Sequence, residues 1–108
     1  MIYRVRTLNL IPAKKSAASE VACSAAEYAT EHFPGIEVEV LENISGSLHH
    51  IHMVTRCDSL ATLEAYEAKR QTDAGWLRLL EEFRTLNAVV DQVDRLYRAT
   101  ATSSNNQS

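Results

Sequence analysis

The alternation of apolar and polar residues between positions 35 and 58 predicts a β-hairpin. The stretch reads GIEVEVLENISGSLHHIHMVTRCD, and its two strand-like runs flank a turn that contains Asn43 and Gly46. Successive side chains of a strand point to opposite faces, so one face of the hairpin is apolar enough to lie under helices. The other face carries the polar side chains, which are Glu37, Glu39, His50, His52 and Arg56.

Before the hairpin, the pattern predicts a strand followed by a helix. Residues 2–10 are rich in β-branched and aromatic side chains, and Pro12 ends this strand because it cannot donate to a ladder. Across residues 14–33 the apolar positions recur at helical spacing, with many alanines among them. The Pro34-Gly35 step ends the helix.

After the hairpin, the periodicity predicts two short helices. Asp58 and Ser59 are candidate N-caps for a helix that starts near residue 60, and Thr72 or Asp73 can cap the next one. The second of these helices has apolar side chains at i, i+3, i+4 and i+7 spacing, namely Trp76, Leu79, Leu80 and Phe83.

The order of the elements predicts the fold. Asn87 suits a left-handed residue just past the last helix, and residues 89–98 predict a closing strand. The order is therefore β-α-β-β-α-α-β, the split βαβ arrangement of a ferredoxin-like α+β fold. We expect a four-stranded antiparallel sheet with the strand order 4-1-3-2 and all helices on one face.

A sheet with helices on one face leaves the other face bare. The apolar residues that we place on the bare face are Leu8, Leu41, Leu48, Val54 and Leu96. An apolar patch of this kind is seldom left in water, and a second copy packed sheet to sheet would cover it. The architecture therefore predicts a homodimer.

Length and composition indicate one ordinary globular domain. The chain has 108 residues, 45% hydrophobic and 23% charged, with a net charge of −3. We assign residues 1–99 to this domain and expect the polar tail 100–108 to be disordered. The sequence has neither a Lys/Arg cluster nor an apolar run of membrane-spanning length, which argues against nucleic-acid and membrane partners. With Cys23 and Cys57 as reduced thiols, we expect a cytoplasmic protein.

Two stretches of the chain match a known sequence pattern, namely the opening MIYRVRT and the block SGSLHHIHMVTRCDSLATLEAYEAKRQTDAGWLRLL. Both stretches resemble the NIPSNAP-like proteins of the dimeric α+β barrel superfamily. The chain departs from the family pattern at Pro12-Ala13, where Pro-Gly is common, and at Arg4, where an acidic residue is common. The resemblance implies a cavity between the helices and the concave side of the sheet in each subunit. Such relatives include proteins of unsettled function, cofactor-free monooxygenases and haem-degrading enzymes.

The same resemblance suggests catalytic candidates. Functional members of the superfamily combine an Asn, a Trp and a His or Tyr around an aromatic substrate or haem. Asn9, Trp76 and Tyr66 are the residues of this chain that could form that set. No His follows Trp76 on its helix, so this chain lacks the histidine that binds haem in the haem-degrading relatives. A Trp at helical spacing among leucines is also typical of a core residue.

A His-x-His pair on the second hairpin strand is the sharpest local chemical signal. His50 and His52 project to one side, as a metal site requires, and Glu37 or Glu39 would have to supply a third ligand. The alternative is a polar network on the sheet face in which carboxylates pair with imidazoles and guanidinium groups. We prefer the network and predict no metal and no cofactor. The network members are Arg4, Arg6, Glu37, Glu39, His50 and His52.

These predictions lead to three hypotheses about the function. The first is a NIPSNAP-like homodimeric barrel protein that binds a small, partly apolar molecule. The second is a cofactor-independent monooxygenase or isomerase that acts on an aromatic substrate. The third is a metal- or haem-binding protein that uses His50 and His52. Whether the protein is an enzyme depends on whether a real cavity exists beside Trp76 and Asn9.

Overall fold

Residues 1–101, which the computed structural model describes, form four strands and three α-helices. The strands are β1 (Ile2–Leu10), β2 (Glu37–Glu42), β3 (His50–Cys57) and β4 (Val89–Arg98). The helices are α1 (Lys15–His32), α2 (Leu60–Arg70) and α3 (Ala74–Thr85), and a short 3-10 turn at Pro12–Lys14 precedes α1. The predicted disordered tail falls mostly on residues 102–108, which lie outside the described residues.

The strands form one antiparallel sheet in the order β2-β3-β1-β4. This is the predicted order 4-1-3-2 seen from the opposite edge, so the ferredoxin-like α+β fold is confirmed. The two central strands, β1 and β3, pair Arg4 with Thr55 and Thr7 with His52. Because directly paired residues share a face, this register decides which side chains meet the helices.

Local signals in the sequence fix the ends of the helices. The Ser59 hydroxyl accepts a hydrogen bond from the Thr62 backbone N–H at 3.1 Å and caps α2. The Asp73 carboxylate accepts one from the Trp76 backbone N–H at 2.8 Å and caps α3. Asn87 has the left-handed φ of 50° that was predicted after α3.

The helices cover one face of the sheet, and α1 lies close to it. Ala18, Ala22 and Ala29 of α1 are almost fully buried, and their small side chains let the helix approach the strands. The main core clusters join these alanines to Leu8, Leu10 and Ile51 on one side and to aromatic residues of the helices on the other.

Two residues that we placed on the bare face of the sheet lie on the helix side instead. Leu8 pairs with Ile51 and is buried with it in the core, so its predicted position is wrong. Leu96 pairs with Arg4 and is also on the helix side, at the sheet edge, where it stays 58% exposed. Leu48 precedes β3, which begins at His50 rather than at residue 48.

The bare face nevertheless keeps apolar side chains. Leu41, Val93 and Tyr97 are about half exposed there, and Val5 and Val54 pair at its centre. Within the described part of the chain, none of the helices has the length and apolar content needed to cross a bilayer.

Candidate functional site

A cavity lies between the helices and the covered face of the sheet. Its inner part has a volume of about 120 Å³ and reaches from β1 and β3 to α1 and α3. A wider cleft of about 880 Å³ lies beside it, between α3, the end of α2 and β4. The two spaces are adjacent, because they share the lining residues Arg6, Arg70, Trp76, Leu80, Phe83 and Gln92.

Aromatic rings form one wall of the inner cavity. Trp76 is 9% exposed, and its ring packs edge to face against Tyr66, with centroids 6.4 Å apart. Phe33 packs against both rings from the α1 side. Trp76 is thus both a core residue and a cavity residue, because it also lines the open space.

Three arginines converge on this cleft. Arg4 donates a hydrogen bond from Nη1 to Glu67 Oε2 at 2.5 Å. Arg6 forks onto Asp94 through Nε and Nη2, at 2.9 and 3.0 Å. The guanidinium carbon of Arg70 lies 4.5 Å from the centroid of the Tyr66 ring, a cation–π distance.

Arg70 also contacts the Trp76 ring, so its guanidinium group packs against two aromatic rings. Its guanidinium carbon is 5.0 Å from the Trp76 ring centroid, and its Nη2 is 3.7 Å from Glu67 Oε2. The side chains of Arg4 and Arg70 are only 8% and 14% exposed. Burial at this level makes their charges costly unless they are compensated.

Burial and neighbouring charges shift the pKa values of these groups. Burial lowers the pKa of Arg4, and the positive charges of Arg6 and Arg70 lower it further. The hydrogen bond to Asp94 raises the pKa of Arg6, and the same bond lowers the pKa of Asp94. Arginine remains protonated in proteins despite such shifts, so the cleft keeps its positive charge. Burial also raises the pKa of the Tyr66 hydroxyl.

The structure brings together only two members of the predicted catalytic set. Trp76 and Tyr66 are neighbours in the cavity. Asn9 lies on the bare face, where it pairs with His50 and donates a 3.3 Å hydrogen bond to Asp91. The sheet separates Asn9 from the two rings, so the three residues do not meet at one place in the single chain.

The predicted polar network is likewise divided by the sheet. Arg4 and Arg6 pair with Thr55 and Met53 and point toward the helices, whereas His50 and His52 point to the bare face. A single network of these groups does not form, because β1 turns its two arginines to the face opposite to that of the two histidines.

A smaller network occupies the bare face. The Thr7 hydroxyl is 2.8 Å from His52 Nδ1, and His52 Nε2 is 2.7 Å from Asn43 Oδ1. At the edge of the sheet Arg56 forms an ion pair with Glu37. Both ring nitrogens of His52 are engaged in hydrogen bonds with protein side chains, so neither nitrogen is free to bind a metal.

The other candidate metal-binding side chains and the two thiols do not lie together in the structure. Among residues 1–101, no three His, Cys, Asp or Glu side chains stand close enough to hold a metal ion together. Cys57 is buried on the covered face, and Cys23 is exposed on α1.

Sequence reasoning missed Glu67, Arg70 and Asp94. A signal for Arg70 exists, because Leu63, Tyr66 and Arg70 follow i, i+3, i+7 spacing and so share the buried side of α2. Asp94 carried no comparable signal, since its role depends on the pairing of β1 with β4.

Comparison with known proteins decides the family. The NIPSNAP family model matches residues 3–104, almost the whole chain. The chain belongs to the NIPSNAP family. No curated protein sequence is similar enough to this NIPSNAP protein to count as a match.

Solved structures share the fold over nearly the full chain. A NIPSNAP domain protein from Burkholderia xenovorans has a TM-score of 0.80 at 12% identity, with 97% of this chain and 100% of that chain covered. A NIPSNAP family protein of unknown function from Agrobacterium tumefaciens has a TM-score of 0.77 at 21% identity, with coverage of 96% and 92%. A candidate antibiotic biosynthesis monooxygenase from Deinococcus radiodurans has a TM-score of 0.73 at 19% identity, with coverage of 96% and 97%. At these identities the likeness establishes the fold alone.

Proposed function

We propose that this NIPSNAP protein binds a small, partly apolar molecule in the cleft between its helices and its sheet. The observation that carries the proposal is the cavity beside Trp76. A ligand site is expected to be a concave, mostly apolar pocket with a few convergent polar groups, and the arginines supply those groups here.

The composition of the inner cavity supports an apolar ligand body. Aliphatic side chains from α1, β2, β3 and α3 face it, including Val21, Val38, Met53 and Leu79. Trp76 and Tyr66 add aromatic surface that stacks well on a planar ring.

We also propose that the protein is a homodimer formed through the bare sheet face. Leu41, Val93 and Tyr97 are about half exposed on that face in the single chain. Packing two such faces together would remove this apolar surface from water. Light scattering at micromolar concentration should give twice the mass of the chain, and a monomeric mass would contradict the proposal.

A second candidate function is a cofactor-independent monooxygenase or isomerase for an aromatic substrate. The rings of Trp76 and Tyr66 in the cavity favour it. In such an oxygenation the substrate supplies the electrons, one oxygen atom enters the ring and the other leaves as water. Uptake of oxygen with a polycyclic phenol as the probe would support this function, and its loss in Trp76→Phe would place the reaction in the cleft. A metal or haem site at His50 and His52 has less support, because His52 already bonds Thr7 and Asn43.

The ligand proposal is tested with a neutral aromatic probe and a pair of alanine variants. Benzyl alcohol should quench the fluorescence of Trp76, the single Trp of the chain, saturably at roughly millimolar concentration. Ala25→Leu places extra volume in the inner cavity and should abolish this response. Ala17→Leu makes the same change at an exposed position of α1 and should leave it intact. Equal responses of the two variants, or no saturable response of the wild type, would contradict the proposal.

A further inference from the structure

The inner cavity contains more positive charge than the surrounding side chains neutralise. Three guanidinium groups, those of Arg4, Arg6 and Arg70, face two carboxylates, those of Glu67 and Asp94. Asp94 is fully engaged by the fork of Arg6. This leaves Glu67 alone to serve both other arginines.

Glu67 cannot satisfy both of those arginines. Its Oε2 accepts from Arg4 at 2.5 Å but is 3.7 Å from Arg70 Nη2, beyond hydrogen-bond distance. Glu67 is also 44% exposed, so water screens its charge more than that of the arginines it faces. Among residues 1–101, one buried positive charge therefore lacks a matched partner.

The donors of these two arginines point to the same deficit. The Nε atoms of Arg4 and Arg70 are both buried and have no acceptor among the residues that the structure describes. A guanidinium group has five N–H donors in a fixed fork, and a buried donor without an acceptor costs free energy. Both arginines line the inner cavity. Two buried cations that each have an unused donor thus line one empty space.

The size of the cavity limits which negatively charged ligand could compensate this positive charge. The inner volume is about 120 Å³, and an apolar cavity of roughly 150 Å³ can hold one benzene ring. The inner cavity is thus close in size to one aromatic ring, and the wider cleft beside it leaves room for a short substituent. Arg70 lies between the two spaces, clamped by the rings of Tyr66 and Trp76, so its position is fixed in advance of binding.

We infer that Arg4 and Arg70 hold the carboxylate of a small aromatic or acyl acid whose apolar body occupies the inner cavity. This inference rests on the proposed ligand-binding function and specifies the chemical class of the ligand. The planar carboxylate matches the guanidinium fork and supplies the missing negative charge. Arg6 keeps its two hydrogen bonds to Asp94. It therefore does not contact the ligand carboxylate but adds to the positive potential of the cavity.

Phenylacetate and phenylacetamide test the inference on the unmodified protein. The two probes share their ring and shape and differ in charge, and the fluorescence of Trp76 reports both. Phenylacetate should bind at least about tenfold more tightly than the amide. Equal affinities of the acid and the amide would overturn the inference but leave the ligand-binding proposal standing. No saturable binding of acid, amide or benzyl alcohol would overturn both.

A matched pair of arginine variants then locates the contact. Arg70→Gln should reduce the affinity for phenylacetate by about tenfold or more and leave that for phenylacetamide unchanged. Arg78→Gln, on the same helix as Trp76 but exposed and outside the cleft, should change neither affinity. An unchanged affinity of folded Arg70→Gln for the acid would exclude the assigned contact. If Arg70→Gln does not fold, the comparison of acid with amide still decides the inference.

Discussion

The hydroxyl of Tyr28 occupies the space that a side chain at Gly75 would need. A Cβ atom built at Gly75 overlaps the Tyr28 ring and its oxygen. The same hydroxyl donates a 2.5 Å hydrogen bond to Asp73, whose carboxylate caps α3 through the Trp76 backbone N–H. Tyr28 thereby ties α1 to the start of the helix that carries Trp76, and Gly75 is the residue that admits it.

Gly75→Ala should destabilise the protein although alanine favours helices. Overpacking against Tyr28 should cost about 1–3 kcal/mol, which exceeds the roughly 0.5–1 kcal/mol gained from helix propensity. Chemical denaturation measures the free energy of unfolding. In a Tyr28→Ala background the same Gly75→Ala change should stabilise, because the obstructing ring is gone. A stabilising effect of Gly75→Ala in the wild type would contradict the contact.

The Tyr28–Asp73 bond also predicts a response to acid. The hydrogen bond from Tyr28 is the main cause that lowers the pKa of Asp73 in the folded protein, followed by the bond from the Trp76 N–H. A lowered carboxyl pKa contributes stability that is fully present above the unfolded value of about 3.9 and is lost as the pH falls through the folded value. Tyr28→Phe should therefore lose less stability between about pH 5 and pH 2 than the wild type. An identical loss in both proteins would contradict this role for the bond.

The sequence predicted the elements and their order better than it predicted the faces of the strands. Several signals are local and could be recognised in the sequence alone. They are the alternation of apolar and polar residues, the caps at Ser59 and Asp73 and the left-handed Asn87. The pairing of β1 with β3 is not local, and a shift of one residue exchanges the faces of a strand. Ile2, Leu8 and Leu10 share the face of Arg4, and their apolar character was the signal that this face is covered.

The candidate site was harder to predict from the sequence than the fold, because it also depends on contacts between residues far apart along the chain. Trp76 and Tyr66 were identified through the resemblance, and the structure brings them together. The charge arrangement around Glu67 depends on tertiary contacts between α2 and β1, 63 residues apart along the chain. No periodicity within either element could predict that contact.

His52 should matter for stability more than His50. His52 bonds Thr7 and Asn43 across the bare face, and removing both bonds should cost about 1–2 kcal/mol. Thermal denaturation of His52→Ala and His50→Ala provides the comparison, and light scattering shows whether either change weakens the proposed dimer. If replacing both histidines left the melting temperature and the assembly unchanged but removed ligand or metal binding, the structural role would be wrong.

Glu67→Gln should lower stability and raise affinity for an acid. Glu67 is the anion that partly compensates Arg4 and Arg70, so its neutralisation should cost about 1–3 kcal/mol of unfolding free energy. The same change removes the internal competitor of a bound carboxylate, and phenylacetate should then bind several times more tightly. Glu64→Gln, on the same helix but outside the cleft, is the control. Weaker binding of phenylacetate by Glu67→Gln would contradict this competition.

The side-chain ¹H–¹⁵N resonances of the arginine Nε–H groups test the ligand site most directly. During titration with phenylacetate, the signals of Arg4 and Arg70 should shift and saturate at the same concentration as the fluorescence of Trp76. The signals of Arg78 and of Arg56 on the bare face should stay in place. Saturating shifts at Arg56 without shifts at Arg4 and Arg70, or no saturable shift at all, would contradict a carboxylate site in the cleft.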